Sequence, residues 1–239
     1  GRLAFAFRRW LRHIDRKKVW AQRCEKTVID SGALCLPVSR MVARELREFY
    51  GRTDRVEVVF NGVSPAEFDA EQWDAWRERN RARCRLDDET TAFLTAATNF
   101  GLKGVGELIR SLSRFSPEEG RGVVIAVGSD RSETYTQFAG ARGVGNRYLY
   151  MGPSDNILEW YAAADAVVLL SWYDPCSRVV LEAVRLGLPV LTTAFNGAAE
   201  ILDDGAGIVV DSPRNFRAVA EALEALCDPD TRRRMQEAA

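Results

Sequence analysis

The sequence predicts an α/β fold, a Rossmann-like parallel sheet with helices on both faces. Two observations predict it. Short, continuously apolar runs recur from about Ala92 onward, and the run from Asp165 to Leu170 is almost pure Ala, Val and Leu after its first residue. A helix-length stretch separates most of these runs. A strand that is apolar on both faces must be covered on both, which is the condition of a parallel sheet flanked by helices.

The elements follow in order. Residues 3–30 read as helical. Leu34 to Val38 reads as a strand, Ser39 as the cap of a helix through about Phe49, and Val56 to Phe60 as a strand ending in the turn signal Asn61-Gly62. Trp73 to Arg83 is a charged helix. Ala92 to Thr98 is a buried strand, followed by a glycine-rich turn and a helix from Gly106 to about Phe115. Strands at Val123 to Val127, Arg147 to Gly152 and Asp165 to Leu170 alternate with helices at Glu133 to Ala141 and Asp155 to Ala164. Arg178 to Leu186 is a helix, Val190 to Thr193 a strand, Gly197 to Leu202 a short helix and Gly207 to Val210 a strand. Ser212 with Pro213 is expected to start a helix with apolar spacing at Val219, Leu223 and Leu226.

Composition narrows the function classes. The chain has 239 residues, 46% of them hydrophobic and 28% charged, with a formal net charge of -1, so no global affinity for nucleic acid follows. The charge is uneven: nine basic residues against Asp15 and Glu25 place +7 between Gly1 and Lys26. There Arg8, Arg9, Arg12, Arg16 and Lys17 lie among Phe5, Phe7, Trp10, Leu11 and Ile14. Two readings stay open for this start, a helix lying on an anionic membrane surface and a solvated helix packed on a sheet.

Five scattered cysteines (Cys24, Cys35, Cys84, Cys176 and Cys227) and one histidine, His13, form no zinc pattern. Reduced thiols in a cytosol are expected, and no apolar run is long enough to span a bilayer. Both ends are expected to be cut, since the chain starts without Met and its last helical pattern, Thr231 to Ala239, runs to the end.

Two loops carry the chemistry, because ligands of open α/β sheets bind at the carboxyl ends of the strands. The first is Asn99-Phe100-Gly101-Leu102-Lys103-Gly104-Val105-Gly106. Glycines admit close backbone approach, free N–H groups at a helix start attract anions, and Lys103 adds a full charge. A glycine-rich turn with a solvated lysine is the competing reading. The second runs from Trp172 to Glu182. Ser177 is expected to cap its helix, which leaves the N–H groups of Arg178, Val179 and Val180 facing an anion. Glu182 follows one turn in, where its carboxylate can accept from sugar hydroxyls; a capped helix with an exposed glutamate is the alternative. Two anion cradles at adjacent strand ends suggest a diphosphate, and the carboxylate suggests a nucleotide. Gly140 to Gly145 is also glycine-rich but follows a helix, so a dinucleotide fingerprint is not supported. No carboxylate cluster is present to hold a metal, and no cofactor is called for.

These segments resemble a known family. Asp174-x7-Glu182, running on into Ala183-Val184-Arg185-Leu186-Gly187-Leu188-Pro189-Val190, resembles the E-x7-E signature of retaining GT-B glycosyltransferases of family 4, the glycosyl transferases group 1. Asn196-Gly197-Ala198-Ala199-Glu200 is similar to their G-G-x-x-E turn. Val38-Ser39, Val58 to Val63 and Phe68 resemble the passage from the first domain to the second. Asn99 to Gly104 resembles the start of the donor domain, particularly in lipopolysaccharide core glucosyltransferases.

The resemblance implies the C-terminal half of a GT-B fold. The expected division is residues 1–62 for a remnant of the acceptor domain, 63–91 for linker and helix, 92–228 for the nucleotide-sugar domain, and 229–239 for the start of a further helix. It implies a sugar transfer, with retention, from a nucleoside diphosphate sugar, UDP being the expected carrier, to a glycan or lipid-linked acceptor in the cytoplasm. Asp174 and Lys103 become the catalytic candidates, and Asn99, Lys103, Ser154, Ser177, Arg178, Val179, Val180 and Glu182 the donor-binding ones. Lys103 would hold the diphosphate, Glu182 the ribose, and Ser154 would lie by the base. Two departures stand out: Asp replaces Glu at 174, and Leu102 replaces the basic residue that often precedes the lysine, whose charge Arg178 could supply. The alternative to an enzyme is a module that binds a nucleotide sugar without turnover.

Overall fold

A computed structural model describes residues 16–64, 68–115, 121–130, 132–202 and 205–238. The chain divides into two compact units, Gly1–Phe60 and Asn61–Ala239. In the first, the described residues form helices α1 (Arg16–Asp30) and α2 (Arg40–Tyr50). Ser39 caps α2, its side chain accepting from the Val42 N–H, and Gly51 closes it in the left-handed conformation. The two expected strands of this unit shrink to one parallel bridge between Cys35 and Val56, with Glu57 N–H donating to Cys35 O and Val59 N–H to Pro37 O. Residues 3–15 of the expected first helix, His13 and most of the basic, aromatic start lie outside the described residues.

The second unit holds α3 (Ala70–Arg83), β1 (Thr91–Ala96), α4 (Val105–Leu112), β2 (Gly122–Val127), α5 (Ser132–Ala141), β3 (Tyr148–Gly152), α6 (Leu158–Ala163) and β4 (Ala166–Leu169). It continues with α7 (Arg178–Arg185), β5 (Val190–Thr193), a 3-10 turn (Gly197–Ile201), β6 (Gly207–Val210), α8 (Phe216–Cys227) and α9 (Pro229–Glu237). The six strands form one sheet in the order β3-β2-β1-β4-β5-β6, and every neighbouring pair is parallel. The order reverses between β1 and β4, and the crevice at such a switch point is where open α/β sheets bind ligands.

Strand periodicity splits the core into two layers. Phe93, Val124, Ala126, Ala166 and Val168 point to one face and meet Leu108, Ile109 and Leu112 of α4 and Val219, Leu223 and Leu226 of α8. Leu94, Ile125, Val167 and Leu169 are fully buried and face the other way, the side on which α6 and α7 pack. One expected cap is corrected. Ser212 does not start α8; Asn215 does, its side chain accepting from the Ala218 N–H, while Ser212 Oγ accepts from Arg214 N–H within the preceding turn. An Asx side chain three residues before a free amide outcompetes the serine for the same role.

The charged helix α3, expected as part of a linker, packs against α6 within this unit. Charged side chains add to that packing. Asp165, just before β4, accepts from Arg77 Nη2 at 2.7 Å and from Arg81 Nη1 at 3.0 Å, and its Oδ2 also accepts from the Ala92 N–H at 2.8 Å. Arg81, 8% exposed at its side chain, spends its other terminal nitrogen on the carbonyls of Asp87 and Thr90. The cluster ties the amino ends of β1 and β4 to α3, at the end of the sheet away from the switch-point crevice. No helix among the described residues is long and apolar enough to cross a membrane.

Candidate functional site

The loop after β1 is shaped by its own turn chemistry. Asn99 Oδ1 accepts from Leu102 N–H at 2.9 Å, and Asn99 O accepts from Lys103 N–H at 3.1 Å. Phe100 is fully buried beneath the loop, with its N–H donating to Asp130 Oδ2. Gly104 has φ +68°, and a Cβ there would stand 2.1 Å from the Leu170 carbonyl oxygen. Only glycine lets the β1 loop lie this close to the end of β4.

The loop after β4 is fastened on both sides. Trp172 N–H donates to Leu102 O at 2.9 Å, Asp174 N–H to Phe195 O at 2.9 Å, and Gly197 N–H to Asp174 O at 2.8 Å. These bonds bring Lys103 and Asp174 together, 71 residues apart in sequence, in an ion pair between Lys103 Nζ and Asp174 Oδ2. Burial pushes the Cys176 thiol upward, so it stays protonated rather than acting as a thiolate.

Asn196 is the clamp between the loops, and sequence reasoning did not single it out for this. Its Oδ1 accepts from the N–H groups of Ser177 and Ala198, at 3.2 and 3.1 Å, and its Nδ2 donates to Thr192 Oγ1 at 3.1 Å. It is 1% exposed. Asn196→Ala strands these buried groups and is expected to cost about 2–4 kcal/mol of stability. Urea denaturation checks it, and a cost below about 1 kcal/mol, the ordinary worth of one hydrogen bond, would contradict the clamp.

The start of α7 differs from the expectation. Ser177 occupies the N-cap position, but its side chain makes no capping bond. The Asn196 side chain accepts from the Ser177 N–H, which precedes the helix, and not from an amide of α7. The first amides of α7, those of Arg178, Val179 and Val180, precede the first intrahelical acceptor and keep the partial positive charge of a helix start.

One turn in, Glu182 Oε2 accepts from Tyr161 Oη at 2.9 Å, while its Oε1 faces Arg178 Nη2 at 3.3 Å. Tyr161, fully buried, is a second residue that sequence reasoning missed. Its position in the apolar stretch Trp160 to Ala164 reads only as core.

These parts line one cleft of about 640 Å³ at the carboxyl ends of β1 to β4. Lys103, Ser154, Asp174, Ser177, Arg178, Val179 and Glu182 line it. Two expected residues do not. Asn99 works inside the turn, and the Val180 side chain is fully buried, so only its amide points to the helix start. Ser154 binds its own loop, its Oγ donating to Asn156 O and accepting from Asn156 N–H. The cleft gains Thr98, Gly128, Ser129, Pro153 and Ile157, which sequence reasoning left out of the site. Gly128 was legible in principle as a glycine at the end of an apolar run. A Cβ there would fall 1.7 Å from the Ala97 carbonyl oxygen. No group of three or more His, Cys, Asp or Glu placed to hold a metal occurs among the described residues.

With this geometry in hand, the comparisons with known proteins are specific. Residues 77–239, more than half of the chain, match the family described as Glycosyl transferases group 1. The lipopolysaccharide glucosyltransferase WaaG of Escherichia coli is 28% identical over 196 residues, covering 81% of this chain and 52% of its own length. The D-inositol 3-phosphate glycosyltransferase of Xylanimonas cellulosilytica is 32% identical over 222 residues, covering 87% of this chain and 52% of its own length. The crystal structure of WaaG, a glycosyltransferase involved in lipopolysaccharide biosynthesis, superposes with a TM-score of 0.76 at 25% identity, over 87% of this chain and 58% of that one. The chain spans about half the length of the curated relatives it matches.

Proposed function

The chain belongs to the glycosyl transferases group 1 family and carries a GT-B-like α/β fold, and from that premise we propose that its cleft binds a nucleoside diphosphate sugar whose sugar is passed, with retention, to a glycan or lipid-linked acceptor. One observation carries the reading: Lys103 and the uncapped start of α7 face the same cleft, with the Glu182 carboxylate one turn along it.

In this reading the diphosphate lies between Lys103 Nζ and the amides of Val179 and Val180. When the bond from the anomeric carbon to the diphosphate oxygen breaks, that oxygen gains negative charge, and these donors already stand around it. Donors oriented before the reaction stabilise growing charge without reorganising, which is usually the largest part of such catalysis. Asp174, held by Lys103 in the absence of donor, lies where the transferred sugar would sit. Glu182 takes the ribose hydroxyls. Pro153, Ser154 and Ile157 form the wall for the base, with UDP the expected carrier.

Isothermal titration of the chain with UDP, followed by assays of UDP-sugar hydrolysis and transfer, tests the proposal. Failure to bind any of UDP, ADP or GDP would sink it, and binding without turnover would assign a binding module instead.

Arg178 is the candidate for the second positive charge, since Leu102 occupies the position before Lys103. Its side chain is 68% exposed and already faces Glu182. Exposed charges are screened and their pairs contribute little. Arg178→Ala is therefore expected to weaken UDP binding only about 2–5-fold and to reduce its salt dependence. An unchanged affinity in low salt would show that Arg178 takes no part.

A further inference from the structure

We infer that Tyr161 is a positioning residue for nucleotide recognition: from inside the core it holds one oxygen of Glu182 and so presents the other to the ligand. The inference rests on the reading that Glu182 receives the ribose.

The geometry is one-sided. Tyr161 is fully buried and lies on α6, behind the cleft rather than on its wall. Its hydroxyl donates to Glu182 Oε2 at 2.9 Å and lies 3.4 Å from the Val179 carbonyl oxygen, both on α7. Burial, followed by the charge of Glu182 itself, pushes the hydroxyl well above the usual tyrosine range, so it remains a donor at every working pH. The Glu182 carboxylate is thereby fixed in rotation on its inner side. Its outer oxygen, Oε1, has only the long, solvent-exposed contact to Arg178. A glutamate has several rotatable bonds, and a carboxylate that must recognise two neighbouring hydroxyls loses affinity with each rotamer it samples. The buried phenol removes that freedom before the ligand arrives. A phenylalanine would fill the same space and leave the carboxylate unheld.

A binding cycle separates this from a packing role. The intact chain is titrated with UDP, ADP and GDP, and the tightest binder is compared with its 2′,3′-dideoxy counterpart. The parent protein is expected to prefer the diol about 10–100-fold, the worth of hydrogen bonds to a charged acceptor. Glu182→Gln is expected to lose most of that preference. Tyr161→Phe, with a thermal melt to verify folding, is expected to reduce it to about 2–4-fold while binding of the dideoxy compound stays within about twofold. A purely structural tyrosine would weaken both ligands alike. If Tyr161→Phe keeps the full preference, the inference is overturned and the ribose reading stands. If the parent protein shows no preference for the diol, or binds none of the three nucleotides, the ribose reading falls and the inference with it.

Discussion

Lys103→Met is expected to weaken UDP binding about 100-fold, ~3 kcal/mol, as read by isothermal titration. Methionine keeps an unbranched side chain of similar length and removes the charge. Of the two cationic side chains that line the cleft, that of Lys103 is 21% exposed and that of Arg178 68%. The field of Lys103 is therefore less screened, and its loss should far exceed that of Arg178. The ion pair to Asp174 adds a second expectation. In the free protein Asp174 cancels the lysine charge, so Asp174→Asn should leave UDP binding intact or roughly 2–10-fold tighter, by relieving the repulsion between carboxylate and diphosphate. The same substitution should depress sugar transfer, because the carboxylate is lost where the sugar would lie. A Lys103→Met protein that binds UDP within threefold of the parent would remove Lys103 from the diphosphate site.

The second large effect is on stability. Asp165→Ala is expected to cost about 3–5 kcal/mol, because it leaves Arg81 buried without its carboxylate and Arg77 with only the carbonyls of Ala162 and Ala164. For a domain of this size that corresponds to a fall in Tm of roughly 6–20 °C. Asp165→Asn, which can still accept from the Ala92 N–H, should fall between the two proteins. Neither change touches the cleft at the other end of the sheet, so UDP affinity of the folded protein should hold within about twofold, as expected for distant sites. A melt displaced by less than about 2 °C would show that α3 is held by packing rather than by charge.

The contrast between these two sites shows what could be read in advance. Both loops of the cleft were visible because they combine apolar strand, glycine and charge within a few residues, and local chemistry of that kind survives in one dimension. Gly104 is an example: its place after Lys103 marked a turn, though not the carbonyl of Leu170 that forbids a side chain. The capping errors at Ser177 and Ser212 differ in kind. At α8 the side chain of Asn215 takes the cap, whereas at α7 Ser177 stands at the N-cap position and makes no capping bond, and residue type alone announces neither outcome. The two short strands of the first unit read as full strands because apolar runs cannot report how few partners they will find.

By itself the sequence determined the parallel α/β class, the alternation of strand and helix, the order of the motifs and the family they resemble. Period and composition set these, and both are properties of consecutive residues. Only the tertiary structure decided the Lys103–Asp174 pair, the Asn196 clamp and the buried hold of Tyr161 on Glu182. Each joins residues on different elements, 71, 19 and 21 positions apart for Lys103–Asp174, Asn196–Ser177 and Tyr161–Glu182. The strand order β3-β2-β1-β4-β5-β6 is what brings their ends together. Strand adjacency is set by the packing of whole layers, so no local pattern announces it.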